Sequence, residues 1–249
     1  MKRLALFTLF LFAFADASFA QGEEFRIERA SGKYDLAVRV EECGGAEQND
    51  DPDACSGPAR VSFYLKGARS PFQTLRLPNV EIYRETLAHN PQTSEKPRGL
   101  YAEEYGFVFD DFNFDGAEDV AICNGRNSGY GGPSYSVFLF DAKSRRFVEN
   151  RRLSGLAEGA YLGLFFPDKK QKQLVAYSKS GCCYHETEKY KVVNDRPVLV
   201  EKITEQATGR DDGAFDVVTT TRRRVGRRWV TRVKRESIKG TDARRKSKF

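Results

Sequence analysis

Residues 107–122 read FVFDDFNFDGAEDVAI, and this stretch has the most informative spacing in the chain. On both sides of its centre, apolar residues alternate with other residues at the two-residue period of a β-strand. The centre is rich in Asp, Asn and Gly, which favour tight turns. The stretch therefore predicts two β-strands joined by a polar loop.

The loop also predicts a calcium site. Oxygen-bearing side chains occupy its first, third, fifth and ninth positions, and the seventh residue would supply a backbone carbonyl; the predicted ligands are Asp111, Asn113, Asp115, Ala117 and Asp119. Ca2+ binds about six to eight oxygens, and alternate residues of a tight loop can provide several of them. The twelfth position holds Ile122, where a helical EF-hand has a bidentate Glu, so the motif is not a full EF-hand. The alternative is that these residues only form the turn of an exposed hairpin.

The first twenty residues have the pattern of a secretory signal peptide. Lys2 and Arg3 precede the apolar run LALFTLFLFAFA, and Ser18 and Ala20 are small residues at the positions that determine cleavage. No Cys follows the predicted cleavage site, which argues against a lipid anchor, and no later stretch is apolar enough for a transmembrane helix. We expect an exported protein, located in the bacterial periplasm or secreted.

The remaining sequence predicts short antiparallel strands separated by turn residues. Residues 21–99 form an N-terminal β-rich section that ends in a connecting loop at 87–99, and residues 100–235 form a C-terminal β domain with the calcium loop. Residues 236–249 are almost devoid of apolar side chains and predict a disordered basic tail. Because no long amphipathic helix appears, we predict an all-β antiparallel meander that is propeller-like or sandwich-like.

Five cysteines in an exported protein favour disulfides over metal thiolates. Cys43 and Cys55 bracket a polar loop, and closing a loop of this size is worth about 3 kcal/mol in the chain-entropy account. We therefore predict that this pair is bonded. Either Cys182 or Cys183 could reach Cys123, and one thiol would remain odd.

Residues 124–135 read NGRNSGYGGPSY and predict a partner-binding loop directly after the second strand of the calcium hairpin. The glycines let a partner approach the backbone, while aromatic, hydroxyl and guanidinium groups are typical of binding hot spots. The predicted contact residues are Arg126, Ser128, Gly129, Tyr130, Ser134 and Tyr135. The alternative is a mobile glycine loop without a partner.

Residues 178–185 read SKSGCCYH and place Cys183 and His185 on one face of a strand. This pair invites a metal or nucleophile interpretation, but a zinc site commonly needs four ligands and a thiolate nucleophile is poorly suited to an oxidising compartment. We favour a structural disulfide here, with Lys179 and Tyr184 at the border of the binding loop.

The formal net charge of +6 is distributed unevenly. Residues 221–249 carry thirteen Lys or Arg and two acids, a net charge of +11, and residues 1–20 carry +1, so that residues 21–220 have a net charge of −6. The strands predicted at 215–225 and 229–233 form a hairpin whose Trp229 is expected to pack inward. The basic tail could contact anionic envelope material or act only as a solubilising segment, and export argues against nucleic acid as a partner.

Five segments carry a resemblance to a known family. In chain order they are DFNFDGAEDVAI, SGYGGPSYSVFLFD, LGLF, SKSGCCYHETEKYKV, and TTTRR followed by GRRW. Together they resemble bacterial exported proteins related to lysozyme inhibitors, in particular the periplasmic immunity proteins that accompany bacterium-killing type IV secretion systems. The resemblance covers residues 107–229. The aspartate-rich loop also resembles the calcium loops of FG-GAP propeller repeats, although it occurs once here.

The resemblance implies an all-β domain that binds a lysozyme-like peptidoglycan hydrolase and blocks its cleft. Related inhibitors insert a Ser-Gly-x-x-Tyr loop into the lysozyme active site. Here Ser128 and Gly129 are followed directly by Tyr130, and this departure leaves Tyr130, Ser134 and Tyr135 as candidates for the inserted residue.

Our leading hypothesis is a non-enzymatic, calcium-stabilised periplasmic inhibitor of a lysozyme-like hydrolase. The competing hypothesis is a structural or adhesion-like envelope module, in which calcium orders a surface for glycan or protein. An enzyme ranks third, because two histidines and scattered acids do not assemble into a recognisable catalytic set.

Overall fold

The computed structural model describes residues 23–43, 53–89 and 105–239, and the predicted signal peptide lies outside these ranges. The described residues form an all-β structure of three sheets, which confirms the predicted fold class. Within them, no helix is long and apolar enough to cross a membrane.

The first sheet consists of four antiparallel strands that are neighbours in chain order. They are β1 (Glu23–Ile27), β2 (Tyr34–Cys43), β3 (Ala54–Leu65) and β4 (Gln73–Tyr83). The predicted Cys43–Cys55 disulfide is present and joins β2 to β3, where the two cysteines are direct cross-strand partners.

The second sheet contains the hairpin predicted around the aspartate-rich loop. Its strands, again in chain order, are β5 (Ala88–His89), β6 (Phe107–Asp110), β7 (Asp119–Gly125), β8 (Ser134–Asp141) and β9 (Arg146–Glu149). β5 runs parallel to β6, and the other neighbours are antiparallel. β5 lies within residues 87–99, the predicted connecting loop, so the predicted start of that loop is wrong.

The third sheet is a six-stranded antiparallel meander. Its strands are β10 (Phe166–Asp168), β11 (Gln173–Ser180), β12 (Tyr184–Val193), β13 (Arg196–Gly209), β14 (Phe215–Val225) and β15 (Arg228–Ile238). β15 continues three residues into the predicted disordered tail, because it pairs with β14 as far as Ile238. Residues 240–249 of that tail lie outside the described ranges.

The second sheet is the middle layer and is buried on both faces. Phe107 and Phe109 on one face pack against the first sheet, whereas Ala121 and Val137 on the other face pack against the helical turn α1 (Arg151–Ser154) and the start of the third sheet. Strand side chains alternate between faces, so a single strand can contribute to two cores. The arrangement is therefore sandwich-like, and the predicted N-terminal and C-terminal sections share one of its cores.

Trp229 does not pack inward as predicted. Its side chain is 40% exposed and stacks under the guanidinium of Arg222, whose Cζ lies 5.7 Å from the ring centroid. The prediction was wrong because β14 and β15 extend past both core clusters, so that none of the described layers covers this end of the third sheet.

Candidate functional site

The aspartate loop, residues 111–119, connects β6 to β7 in a tight curl. Phe114 and Gly116 have left-handed backbone conformations, with φ of 62° and 90°. A Cβ at Gly116 would meet no atom within 4 Å, so its glycine is needed for the backbone angle and not for space. The loop thus turns back on itself within a few residues.

Side-chain oxygens of the aspartate loop bind its own backbone. Asp111 accepts from the amides of Asp115 (Oδ1, 3.1 Å) and Gly116 (Oδ2, 2.9 Å), and Asp115 Oδ1 accepts from the amide of Ala117 at 2.7 Å. The Asn113 amide donates to Asp115 Oδ2 at 3.0 Å. The first, third and fifth loop positions are therefore held together.

Asp119 is the buried member of the set. Its side chain is 0% exposed, and its two oxygens accept from the amides of Phe112 and Phe140, each at 2.8 Å. Burial raises the pKa of Asp119 to about 7, and the charges of Asp115 and Asp111 also raise it, while the two amides oppose the shift. A cation beside these three carboxylates would lower the cost of ionising Asp119.

The aspartate loop also contacts all three sheets or their turns. Ser31, in the β1–β2 turn, donates to Glu118 at 2.6 Å, and Asn113 donates to Asp195 of the β12–β13 turn at 3.0 Å. Asp119 accepts from Phe140 of the second sheet, and Lys169 of the β10–β11 turn pairs with Asp110, the β6 residue just before the loop, at 2.9 Å. A change in the conformation of the loop would therefore affect contacts with all three layers.

The described residues contain one group of three acidic, Cys or His side chains whose ligand atoms lie within 4.8 Å of one another, namely Glu23, Cys43 and Cys55. It is not a metal site, because both sulfurs are in the disulfide. The aspartate loop instead combines carboxylate, amide and backbone oxygens, the hard ligands that suit calcium. Each carboxylate oxygen that accepts one amide retains a lone pair for a cation.

The glycine loop, residues 126–135, is partly structural. Ser134 and Tyr135 are 0% and 3% exposed, since they begin β8, and the Tyr135 hydroxyl donates to the Tyr105 carbonyl at 3.1 Å. Ser128 is 7% exposed, and its hydroxyl oxygen has no hydrogen-bond partner among the described residues. The burial of these three residues argues against them as the contact residues that the sequence predicted.

Arg126 fastens the glycine loop to the first sheet. Its Nε lies 2.9 Å from Glu81 Oε1, and its guanidinium stacks over the Tyr83 ring with Cζ 5.5 Å from the centroid. The same group donates to the Tyr83 hydroxyl. Arg126 is thus engaged within the protein.

Tyr130 is an exposed aromatic residue of the glycine loop. It lies in the 3₁₀ turn Gly129–Gly131 with φ of 60°, and 62% of the residue is accessible to solvent. Its hydroxyl accepts from the amide of Gly181 at 2.5 Å, and the Lys179 ammonium lies 4.6 Å from its ring centroid. The ring is therefore both exposed and fixed in position.

Close packing at Gly129 also fixes the turn. Its amide donates to the Tyr161 carbonyl at 2.6 Å, and an added Cβ would lie 3.0 Å from the Ala160 carbonyl oxygen. A side chain at position 129 would push the turn away from this backbone. Gly129 therefore supports the position of Tyr130.

The β11–β12 turn contains a disulfide between the adjacent residues Cys182 and Cys183. The alternative bond to Cys123 is not formed; Cys123 is a buried thiol in the core between the second and third sheets. The prediction of one odd thiol is confirmed. With Cys183 oxidised, neither a metal nor a nucleophile role for Cys183 and His185 fits this structure.

Sequence reasoning overlooked one feature of this turn. The Ser-Gly-x-x-Tyr spacing that the resemblance implies is absent after Ser128 but is present at Ser180, Gly181 and Tyr184. The amide of Gly181 is the group that holds Tyr130. We call Tyr130, Lys179 and residues 180–184 together the tyrosine surface; Lys179 lies at the border of the glycine loop, as the sequence predicted.

A polar cluster lies beside the tyrosine surface on β12. The buried carboxylate of Glu188 accepts from the hydroxyls of Tyr161 (2.8 Å) and Tyr190 (2.6 Å), and Lys202 donates to it at 3.2 Å. Burial acts to raise the pKa of Glu188, but these hydrogen bonds outweigh it and the pKa is lowered. Burial raises the pKa of Tyr161 to about 12. The cluster therefore holds an ionised carboxylate that accepts from the Tyr161 hydroxyl, and the backbone carbonyl of the same Tyr161 accepts from the Gly129 amide.

The chain is similar in structure to a solved protein described as a Xanthomonas type IV secretion system related protein. The two chains are 25% identical, the TM-score is 0.66, and the alignment covers 88% of this chain and 97% of the other. No family model and no curated protein matches the chain. The structural similarity agrees with the type IV secretion part of the resemblance found in the sequence.

Proposed function

We propose that this protein is a calcium-stabilised periplasmic inhibitor of a lysozyme-like peptidoglycan hydrolase, serving as an immunity protein. The similarity to a type IV secretion system related protein supports this setting. The Cys43–Cys55 disulfide supports export, since such bonds persist in oxidising compartments.

The observation that carries the proposal is the state of Tyr130, which is 62% exposed and yet held by Gly181 and Lys179. A rigid exposed aromatic side chain is a favourable anchor for a cleft, because little conformational entropy is lost when a partner covers it. An aromatic residue of a mobile loop would lose that entropy on binding.

The mechanism is occlusion. Tyr130 enters the sugar-binding cleft of the hydrolase, and the Ser180–Tyr184 turn follows it along the rim. Glycoside hydrolases commonly act through a pair of carboxylates. The Lys179 ammonium, which is beside the Tyr130 ring, is placed to donate to one of them.

Calcium has a structural role in this proposal. Asp111, Asn113, Asp115, the carbonyl of Ala117 and Asp119 would hold it, with buried Asp119 as the ligand nearest the core. The ion would offset the repulsion among the three carboxylates and stiffen β7, which leads directly into the glycine loop.

The test is a turbidity assay in which lysozymes of several classes clear a cell-wall suspension. We expect the wild-type protein to inhibit at least one class, and Tyr130→Ala to weaken inhibition at least tenfold, which corresponds to about 1.4 kcal/mol of binding energy. Tyr64→Ala, on the outer face of the first sheet, is the matched control and should inhibit as the wild type does.

Absence of inhibition of every class, including hydrolases that competing bacteria deliver, would refute the inhibitor function. Equal inhibition by wild type and Tyr130→Ala would retain the function and reject the tyrosine surface. Melting temperatures of both variants should stay close to that of the wild type, because Tyr130 is largely exposed.

A further inference from the structure

The hairpin formed by the end of β14 and the start of β15 carries a concentrated positive charge. Residues 217–235 contain eight Lys or Arg and no acid. We call residues 222–235 the basic ribbon. β15 is the edge strand of the third sheet, and its residues from 228 to 237 are exposed on both faces.

Few of these charges are neutralised within the protein. Arg223 Nε lies 3.6 Å from Glu201 Oε2, and Lys234 Nζ lies 2.6 Å from Glu236 Oε1. Within the described residues the other arginines of the ribbon form no ion pair: Arg222, Arg224, Arg227, Arg228, Arg232 and Arg235. The ribbon therefore presents a net positive surface that attracts anions.

The same ribbon is also unusually apolar for an exposed segment. Its exposed apolar residues are Val225 (60%), Trp229 (40%), Val230 (44%) and Val233 (49%). Three cross-strand pairs each place an arginine beside an apolar residue, namely Arg223 with Val230, Arg224 with Trp229, and Arg228 with Val225. Cationic and apolar groups are thus mixed on both faces.

The mixture of arginines and apolar side chains favours some classes of partner over others. A nucleic acid or another soluble polyanion would use the arginines but leave the valines in water. An edge-to-edge β-strand partner is disfavoured, because charged side chains along an edge strand oppose such pairing. A membrane with anionic headgroups accommodates both kinds of side chain, since Arg pairs with the phosphates while Trp and Val enter the interface.

We propose that the basic ribbon binds the surface of an anionic phospholipid membrane. This inference goes beyond the proposed inhibition and involves a separate part of the molecule. In the antiparallel register of the third sheet, the β14–β15 turn lies at the same end as the β12–β13 turn. The β11–β12 turn, which belongs to the tyrosine surface, lies at the opposite end. A protein attached through the ribbon would keep Tyr130 directed away from the lipid.

The test uses vesicles of phosphatidylcholine mixed with phosphatidylglycerol, and vesicles of phosphatidylcholine alone. Trp229 is the single tryptophan of the chain, so its fluorescence reports on the ribbon alone. We expect the protein to sediment with the mixed vesicles, more weakly as salt is raised, and the Trp229 emission to shift to the blue. Brominated lipid should quench that emission.

Replacing Arg224, Arg228 and Arg232 with Gln should weaken binding on the order of a hundredfold, since each basic residue near an anionic surface contributes about fivefold. The matched control replaces three exposed arginines outside the ribbon, Arg69, Arg146 and Arg152, with Gln and should bind as the wild type does.

Three results would overturn the proposal. One is equal binding to both kinds of vesicle, and another is equal loss of binding in the two triple variants. The third is an unshifted Trp229 emission together with displacement by inorganic polyphosphate or DNA, which would indicate a soluble-polyanion site. If the ribbon variant failed to fold, quenching of wild-type Trp229 by brominated lipid would still decide the question.

Discussion

The second sheet and the basic ribbon are both antiparallel β-structure with alternating side chains, yet they lie in opposite environments. Phe109 and Val120 of the second sheet are 0% exposed, whereas Val230 and Val233 of the ribbon are 44% and 49% exposed. The difference arises because the second sheet has a layer on each side, whereas no layer within residues 23–43, 53–89 and 105–239 covers the ribbon. Alternation thus identifies a strand, but the neighbouring layers decide what the strand does.

The largest effect should follow from a cavity in the middle layer. Phe109→Ala removes a fully buried ring that lies 6.1 Å from that of Tyr34, so it should lower the free energy of unfolding by about 3–5 kcal/mol. Val230→Ala in the ribbon should change it by no more than about 0.5 kcal/mol. Denaturant unfolding of both variants measures the contrast. Similar losses in the two would mean that the ribbon is covered in solution.

The sequence predicts many of the strands in these layers, but it does not predict how deeply each strand is buried. The alternation in residues 107–122 correctly predicts β6, the loop and β7. The run Val120-Ala121-Ile122 is apolar without a break, which is typical of a strand buried on both faces. Trp229 alternates equally well, so only the position of the third sheet reveals that the part of the chain described by the structure leaves it exposed.

A smaller effect should follow from the aspartate loop, where a buried and an exposed carboxylate can be compared. Asp119→Ala leaves the amides of Phe112 and Phe140 without their acceptor, which should cost about 2–4 kcal/mol even in chelator. Asp115→Ala removes an exposed carboxylate and should cost less than about 1 kcal/mol in chelator. Both should lose the heat of calcium binding in a calorimetric titration.

The two readouts separate the structural role of the loop from its proposed calcium site. If Asp115→Ala binds calcium with the same heat as the wild type, the ion is removed from the proposal. A wild type that gives no heat would remove it as well. The effect of Asp119→Ala on the free energy of unfolding would still measure the structural role of the loop. Loss of heat without loss of stability in Asp119→Ala would mean that the two amides find other acceptors.

The glycine loop was harder to predict than the aspartate loop, because it mixes buried and exposed residues. Tyr130 and Tyr135 lie in the same glycine-rich segment, yet Tyr135 starts the alternating run of β8 and is buried. That periodicity was visible in the sequence and could have separated the two tyrosines. The contact between Tyr130 and Gly181 could not be predicted, since it joins residues 51 positions apart.

The smallest effect on stability should come from Glu188, a buried residue of β12 in the third sheet. Its folded-state pKa is lowered from an ordinary value of 4.5, so its stabilising contribution is present above that pH and is lost as the pH falls through the folded pKa. Glu188→Gln should therefore reduce the free energy of unfolding by about 1 kcal/mol near neutral pH, and the difference should shrink below pH 4.5. Melting temperatures of both proteins across acidic and neutral pH measure this. Curves that keep the same separation at acidic pH would mean that the difference does not come from the ionised carboxylate, and that its charge paired with Lys202 contributes nothing to stability.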